Sequence, residues 1–190
     1  IYRMNKPKPP GGLEAAASIG KSLENLIIFN SLSKRSNACG MRAGFIVGDK
    51  NIIENYKLLV SNGASPVPIP IQKVASALYD DDDHQIEGCL HYDKNFEIAE
   101  KYLKPFYKDF KIPDAGFFLW LKVNDDKKAA KILWQKFSLR VMPGSFMSKE
   151  VNGINPGRGY LRISLVDNEE VVEETMKRIC LFLKMEIARE

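Results

Sequence analysis

No run of apolar residues in this chain approaches the roughly 20 needed to cross a bilayer. Nothing in it has the basic, apolar and small-residue order of a secretory leader. Cysteine is scarce: Cys39, Cys89 and Cys180 are odd in number and far apart. No pair of them has the spacing of a metal knuckle or a redox dithiol, which points to a reducing compartment. The two histidines, His84 and His91, have no partner at metal-ligand spacing. A one-signed charge excess is missing as well. The net charge of +4 comes from 28 basic and 24 acidic residues spread over 190 positions, and the basic residues do not interleave with aromatics as on a nucleic-acid face. The acidic run Asp80–Asp83 lacks EF-hand spacing and its glycine, and reads as a solvated turn. These absences argue against a membrane span, a disulfide scaffold, a metal centre and a nucleic-acid binder. The expected location is the cytoplasm.

What the chain does have is 45% hydrophobic residues, enough for one domain or two small ones, and one stretch around which the rest is organised, Ser31 to Gly44. Leu26 to Phe29 before it suits a buried strand, and Phe45 to Val47 after it a second strand stopped by Gly48 and Asp49. Between them stand hydroxyls, a lysine, glycines and an arginine. Ser31 and Ser33 are able to hydrogen-bond phosphate oxygens, and Arg42 to answer a phosphate dianion with a two-pronged fork. Lys34 offers a primary amine able to condense with an aldehyde. Gly40 and Gly44 permit tight turns and close backbone approach. Cys39 reads as packing.

The order Ser31-x-Ser33-Lys34, with Gly40 six and Arg42 eight residues beyond the lysine, resembles the cofactor-lysine motif of the class I/II aminotransferases of fold type I. The resemblance implies pyridoxal 5'-phosphate as cofactor, Lys34 as its covalent attachment point and the catalytic proton carrier, and Ser31, Ser33 and Arg42 as its phosphate ligands. It implies an α/β fold: the end of a large cofactor-binding domain over residues 1–92, then a linking helix and a small α+β C-terminal domain over 93–190. The family's Asp-x-x-Tyr segment and its Gly-rich cofactor loop have no counterpart here, so the chain is expected to be a fragment matching the C-terminal half of a family member. The family also implies a homodimer with sites at the subunit interface.

Along the chain, Leu13 to Ile19 reads as a short helix. Asp49 reads as the N-cap of a helix from Lys50 to about Leu59. Pro66, Pro68 and Pro70 forbid helix until about Ile71, after which Gln72 to Tyr79 is helical. Phe96, Ala99, Leu103 and Phe106 recur at helical spacing between Asp93 and Tyr107. Pro113 to Val123 reads as a strand, resembling a family strand whose first residues face the substrate. Phe117 and Phe118 are thus candidate pocket residues, with core packing the commoner use of such side chains. Asp125 caps a helix to Phe137, and Leu139 to Met142 is a short strand ending in a Pro143-Gly144-Ser145-Phe146 turn. Asn168 to Ile187 is an amphipathic helix with Val171, Thr175, Ile179, Phe182 and Leu183 on its apolar face.

The second informative stretch is Gly157 to Leu165. Alternation on a strand from Tyr160 places Arg162 with Tyr160 and Ser164, away from Leu161, Ile163 and Leu165. An arginine on a central strand is costly unless an anion pairs with it. The segment Gly157-x-Gly159-Tyr160-x-Arg162-Ile163-Ser164 resembles the aminotransferase motif whose arginine binds the substrate α-carboxylate, which implies that role for Arg162. The implied reaction is ping-pong transfer of an amino group between an amino acid and a 2-oxo acid. The residues flanking Lys34 look most like those of the succinyldiaminopimelate aminotransferases of lysine biosynthesis. A β-lyase of the same fold type and a cofactor-sensing domain of a transcription regulator stand as alternatives.

Overall fold

Several helix starts in this chain follow an aspartate or asparagine. The computed structural model describes residues 1–20 and 22–188 and divides into two units, Ile1–Cys89 and Leu90–Glu190. In the first unit a short helix α1 (Gly12–Ser18) precedes strand β1 (Ile27–Ser31), which pairs antiparallel with β2 (Gly44–Gly48) from Ile27↔Gly48 to Ser31↔Gly44. The link between the strands is more ordered than a loop. It holds a single helical turn, α2 (Leu32–Arg35), and a 3₁₀ turn, Cys39–Met41. Asp49 caps α3 (Lys50–Gly63), its carboxylate accepting from the amides of Asn51 and Ile52. These bonds, with a third from Asn25, hold its pKa below the ordinary value.

Helix α3 runs four residues past its expected end, absorbing Asn62 and Gly63. α4 (Ile69–Asp80) begins two residues early because Pro70 occupies its first turn, where a missing amide proton costs nothing. α5 (Asp83–Leu103) begins ten residues before the periodic stretch that announces it and stops short of Pro105. The acidic run is its starting device: Asp81 Oδ1 accepts from the Asp83 amide, and the Asp82 carbonyl from those of Gln85 and Ile86.

The second unit is built on a three-stranded antiparallel sheet ordered β3 (Phe118–Lys122), β5 (Tyr160–Ser164), β4 (Met142–Pro143). β4 is shorter than expected and begins only at Met142. One sheet face, with Leu119, Leu121, Leu161 and Ile163, packs against α6 (Asp126–Phe137), α7 (Glu169–Ile187) and Phe96, Ala99 and Leu103 of α5. Asp125 caps α6 through the amides of Lys127 and Lys128, and Asn168 caps α7 through that of Val171. The apolar face of α7 is Val172, Met176, Ile179, Phe182 and Leu183, with Val171 46% exposed. Spacing predicts Val171 and Thr175 on this face, but the structure turns Val172 and Met176 inward in their place, because both series keep a helical period and packing against the core selects between them. Asn95, fully buried, donates its amide to the carbonyls of Leu165 and Asp167 at 3.0 and 2.9 Å, which fixes the end of the β5 segment.

Phe182 is 1% exposed and meets Phe137 edge-on at 6.3 Å. Phe182→Ala is expected to cost about 3–5 kcal/mol, because the rigid helices around it collapse only partly into the void. Urea unfolding of wild type and variant measures it, and a loss below about 1 kcal/mol would place Phe182 outside the packing core.

Candidate functional site

The first unit brings Ser31, Ser33, Lys34 and Arg42 onto one hairpin end. Ser31 closes β1 opposite Gly44, and the Leu32 amide donates to the Ala43 carbonyl at 3.2 Å, so the two ends of the motif are stitched together. Leu32 is fully buried and anchors the turn. The Ser31 hydroxyl caps α2, accepting from the Ser33 amide at 3.2 Å, and keeps its own proton for another acceptor. Lys34 and Arg42 are exposed and Ser33 is half-buried.

Arg42 sits in the left-handed region, φ 52° and ψ 39°, and donates from Nη1 to the Cys39 carbonyl at 3.2 Å. A non-glycine residue held there costs about 1–2 kcal/mol, and such strain gathers at binding sites. Gly44 answers a close approach, since a Cβ there would lie 2.3 Å from the Asn30 carbonyl oxygen. Gly40 has open space around it, so close packing does not explain it. Cys39 is exposed rather than packed, because the 3₁₀ turn leaves it at the surface.

In the second unit Arg162 lies on the central strand, opposite Trp120 of β3 and Met142 of β4, on the sheet face away from the core. Its guanidinium carbon stands 4.4 Å from the centre of the Phe118 ring. Its Nε is buried and has no hydrogen-bond partner among the described residues. A buried guanidinium N–H without an acceptor is expensive, and a carboxylate would supply two. A cavity of about 360 Å³ borders Arg162 and is also lined by Arg140, Ser164, Asp167 and Thr175. The two phenylalanines divide their work. Phe117 is 8% exposed and stacks on Tyr92 at 5.4 Å, whereas Phe118 supports the guanidinium. Alternation on β3 was the available signal, since Phe118 is the member of the pair in register with Trp120.

One residue without a role in the motif reading holds this region together. Asp126, 3% exposed, accepts from the Ser145 amide at 2.9 Å and the Gly159 amide at 3.3 Å. It thereby ties the Pro143–Phe146 turn to the loop that leads into Arg162. Behind it, Gly144 and Gly157 stand back to back: a Cβ on Gly144 would lie 2.3 Å from the Gly157 carbonyl oxygen, and one on Gly157 2.1 Å from that of Gly144. Burial alone would raise the Asp126 pKa, but the bonds from Ser145 and Gly159 together outweigh it and hold the carboxyl below 3.8.

A depressed pKa in the fold means stability that is fully present above the unfolded value and is lost as pH falls through the folded one. Asp126→Asn is therefore expected to lower the urea midpoint at neutral pH and to flatten its decline below about pH 4. A parallel acid limb in the variant would remove Asp126 from this role.

The chemistry of the donor set fits pyridoxal phosphate: two hydroxyls and a guanidinium for a phosphate dianion, and an exposed primary amine for an aldehyde, all on one stitched turn. A family model described as "Aminotransferase class I and II" matches residues 10–179. The crystal structure of an aminotransferase from Neisseria meningitidis superposes with a TM-score of 0.88 at 38% identity, covering 95% of this chain and 47% of that one. LL-diaminopimelate aminotransferase 2 of Trichormus variabilis is 30% identical over 90% of this chain and 43% of its own length. The (5-formylfuran-3-yl)methyl phosphate transaminase of Methanocaldococcus jannaschii is 27% identical over 91% of this chain and 46% of its own. The chain thus spans less than half the length of the relatives it matches.

Proposed function

The chain belongs to the class I and II aminotransferase family, whose members depend on pyridoxal phosphate, and we propose that it is the C-terminal part of an enzyme moving an amino group between an amino acid and a 2-oxo acid. Its α/β fold is the corresponding part of the pyridoxal-phosphate-dependent transferase fold. In this reading, residues 1–92 complete the large cofactor-binding domain and 93–190 form the linking helix and small domain.

The observation that carries the substrate side of the proposal is the buried, unpartnered Nε of Arg162 on a central strand. Bound pyridoxal phosphate would supply the electron sink for the exchange. Ser31, Ser33 and Arg42 would hold its phosphate, and Lys34 would be the amine that holds its aldehyde end. Lys34 Nζ would take the proton from the substrate Cα and return it, as general base and acid. Arg162 grips the α-carboxylate as a two-pronged pair, with Phe118 supporting the plane of the fork. A homodimer in the cytoplasm completes the reading. All three cysteines are free thiols, and among the described residues no helix is long and apolar enough to cross a membrane.

For the substrate we propose a diaminopimelate-type amino acid, in line with the LL-diaminopimelate aminotransferases among the relatives; the choice of its succinylated form rests on the residues flanking Lys34 alone. Turnover of the holoenzyme on N-succinyl-diaminopimelate and on LL-diaminopimelate tests this. The succinylated substrate is expected to give the higher kcat/KM by at least about tenfold, a difference of some 1.4 kcal/mol in transition-state binding. The reverse order would move the specificity to the free diamino acid. Absence of amino transfer from either, or from common amino acids, would overturn the activity itself.

A further inference from the structure

The lysine turn is a single helical turn of four residues, and one such turn has almost no stability of its own. Its front end is held by the Ser31 cap and the buried Leu32. Its back end is held by a network that starts at the residue directly after the lysine. The Arg35 side chain, 18% exposed, runs to the end of α4 and donates to the carbonyls of Leu78, Tyr79 and Asp81 and to Asp82 Oδ1. It also lies 5.4 Å from the centre of the Tyr79 ring. Tyr79 in turn donates to Asn30 Oδ1 of β1 and meets Phe45 of β2 edge-on at 5.0 Å.

Beside Arg35, the Ser36 hydroxyl lies 2.8 Å from His84 Nε2, and His84 Nδ1 lies 2.9 Å from Asp81 Oδ2. The chain is satisfiable in either charge state. Neutral His84 donates from Nδ1 to Asp81 and accepts the Ser36 proton at Nε2, and charged His84 donates from both. The same side of α2 is thus bonded to the end of α4 and to the first turn of α5, while the Ser36 and Ala38 amides return to the Leu32 carbonyl at 3.0 and 3.3 Å.

We infer that Arg35 and His84 are positioning residues for Lys34: through Ser36, Tyr79 and Asp81 they fix the pitch of the turn that aims its amine. The inference rests on Lys34 being the cofactor lysine. Charge is only part of what Arg35 contributes, because a lysine cannot reach carbonyls on three successive parts of a helix end together with a carboxylate. The role of His84 likewise depends on two opposed nitrogens, so a side chain that keeps one bond keeps part of the effect.

The test adds pyridoxal phosphate to the chain, reduces with borohydride at intervals and maps the tagged peptide. Phe182→Ala, which weakens the fold away from the lysine turn, serves as a control for general loss of stability. His84→Ala and Arg35→Ala are expected to slow tagging at Lys34 about tenfold, as misplacement of a reacting group does. His84→Gln is expected to recover part of the loss and Arg35→Lys little of it. Hydrogen exchange at the Ser36 and Ala38 amides should speed up in the two alanine variants and stay unchanged in Phe182→Ala.

Equal slowing in all three alanine variants, or unaltered exchange at those amides, would reduce the network to ordinary capping and overturn the inference. Normal tagging in wild type with unaltered tagging in the variants would overturn it while leaving Lys34 in place. If wild type is tagged at other lysines and not at Lys34, the cofactor-lysine reading and the inference fall together.

Discussion

Lys34→Ala in the holoenzyme is expected to reduce amino transfer by about 10⁴-fold or more, because one amine is given two tasks. In the proposed function it would be both the covalent attachment point and the group that carries the proton to and from the substrate carbon. Loss of a positioned general base alone typically costs 10²–10⁴-fold, and loss of the nucleophile adds to that. The fold should survive. Lys34 is exposed, and the bonds that hold its turn come from Ser31, Leu32, Arg35 and Ser36, so its truncation belongs with surface changes within about 0.5 kcal/mol. Single-turnover measurement together with a thermal melt separates the two. Substantial turnover by a folded variant would end the assignment, and an unfolded variant would make the lysine structural.

The second large effect belongs to Arg162. Arg162→Lys is expected to raise KM for the amino acid about 10- to 100-fold while retention of pyridoxal phosphate is unchanged. Hydrogen bonds to a charged group contribute about 1.5–3 kcal/mol, and each 1.4 kcal/mol is tenfold in affinity. An ammonium keeps the charge but gives up the fork and the planar support of Phe118, 4.4 Å below it. Steady-state kinetics over a range of amino acid concentrations, with cofactor content measured on the same preparations, reads both quantities. Cofactor lost in step with substrate affinity would mean that Arg162 holds the fold of its domain and not the substrate.

These two residues stand out most in the sequence, Lys34 because its motif has unusual spacing and Arg162 because an arginine on a central strand is costly without an anion. Arg162 could be placed on a face by alternation alone, and β5 keeps that alternation, with Leu161 and Ile163 buried and Arg162 opposed to Trp120. The caps at Asp49, Asp125 and Asn168 were legible for a similar reason, since a capping bond is local.

What could not be read was anything decided by distant neighbours. Asp126 follows a capping aspartate and resembles any first-turn acid, yet its carboxylate bonds are to residues 19 and 33 positions away. The start of α5 was hidden because Asp83 to Gly88 are polar or glycine apart from Ile86, although Cys89 and Tyr92 already continue the buried series of Phe96, Ala99 and Leu103. The choice between Val171 and Val172 was likewise a matter of tertiary packing, which settles what a 3.6-residue period leaves open. Phe117 and Phe118, adjacent and alike in type, separate only once the sheet gives one of them a core and the other a guanidinium.

The two glycines that stand back to back, Gly144 and Gly157, belong to separate signatures in the chain, the Pro-Gly-Ser-Phe turn and the Gly-x-Gly loop before Arg162. In space they form one joint, each filling the room that the other's missing side chain leaves. For protein engineering this makes the segments a matched set. A graft that imports either loop from a relative must import its mate, and a library that diversifies the residues around Arg162 has to hold both glycines constant. Pocket redesign here is therefore confined to side chains such as Met142, Trp120 and Phe118, with the backbone beneath them left as a fixed chassis.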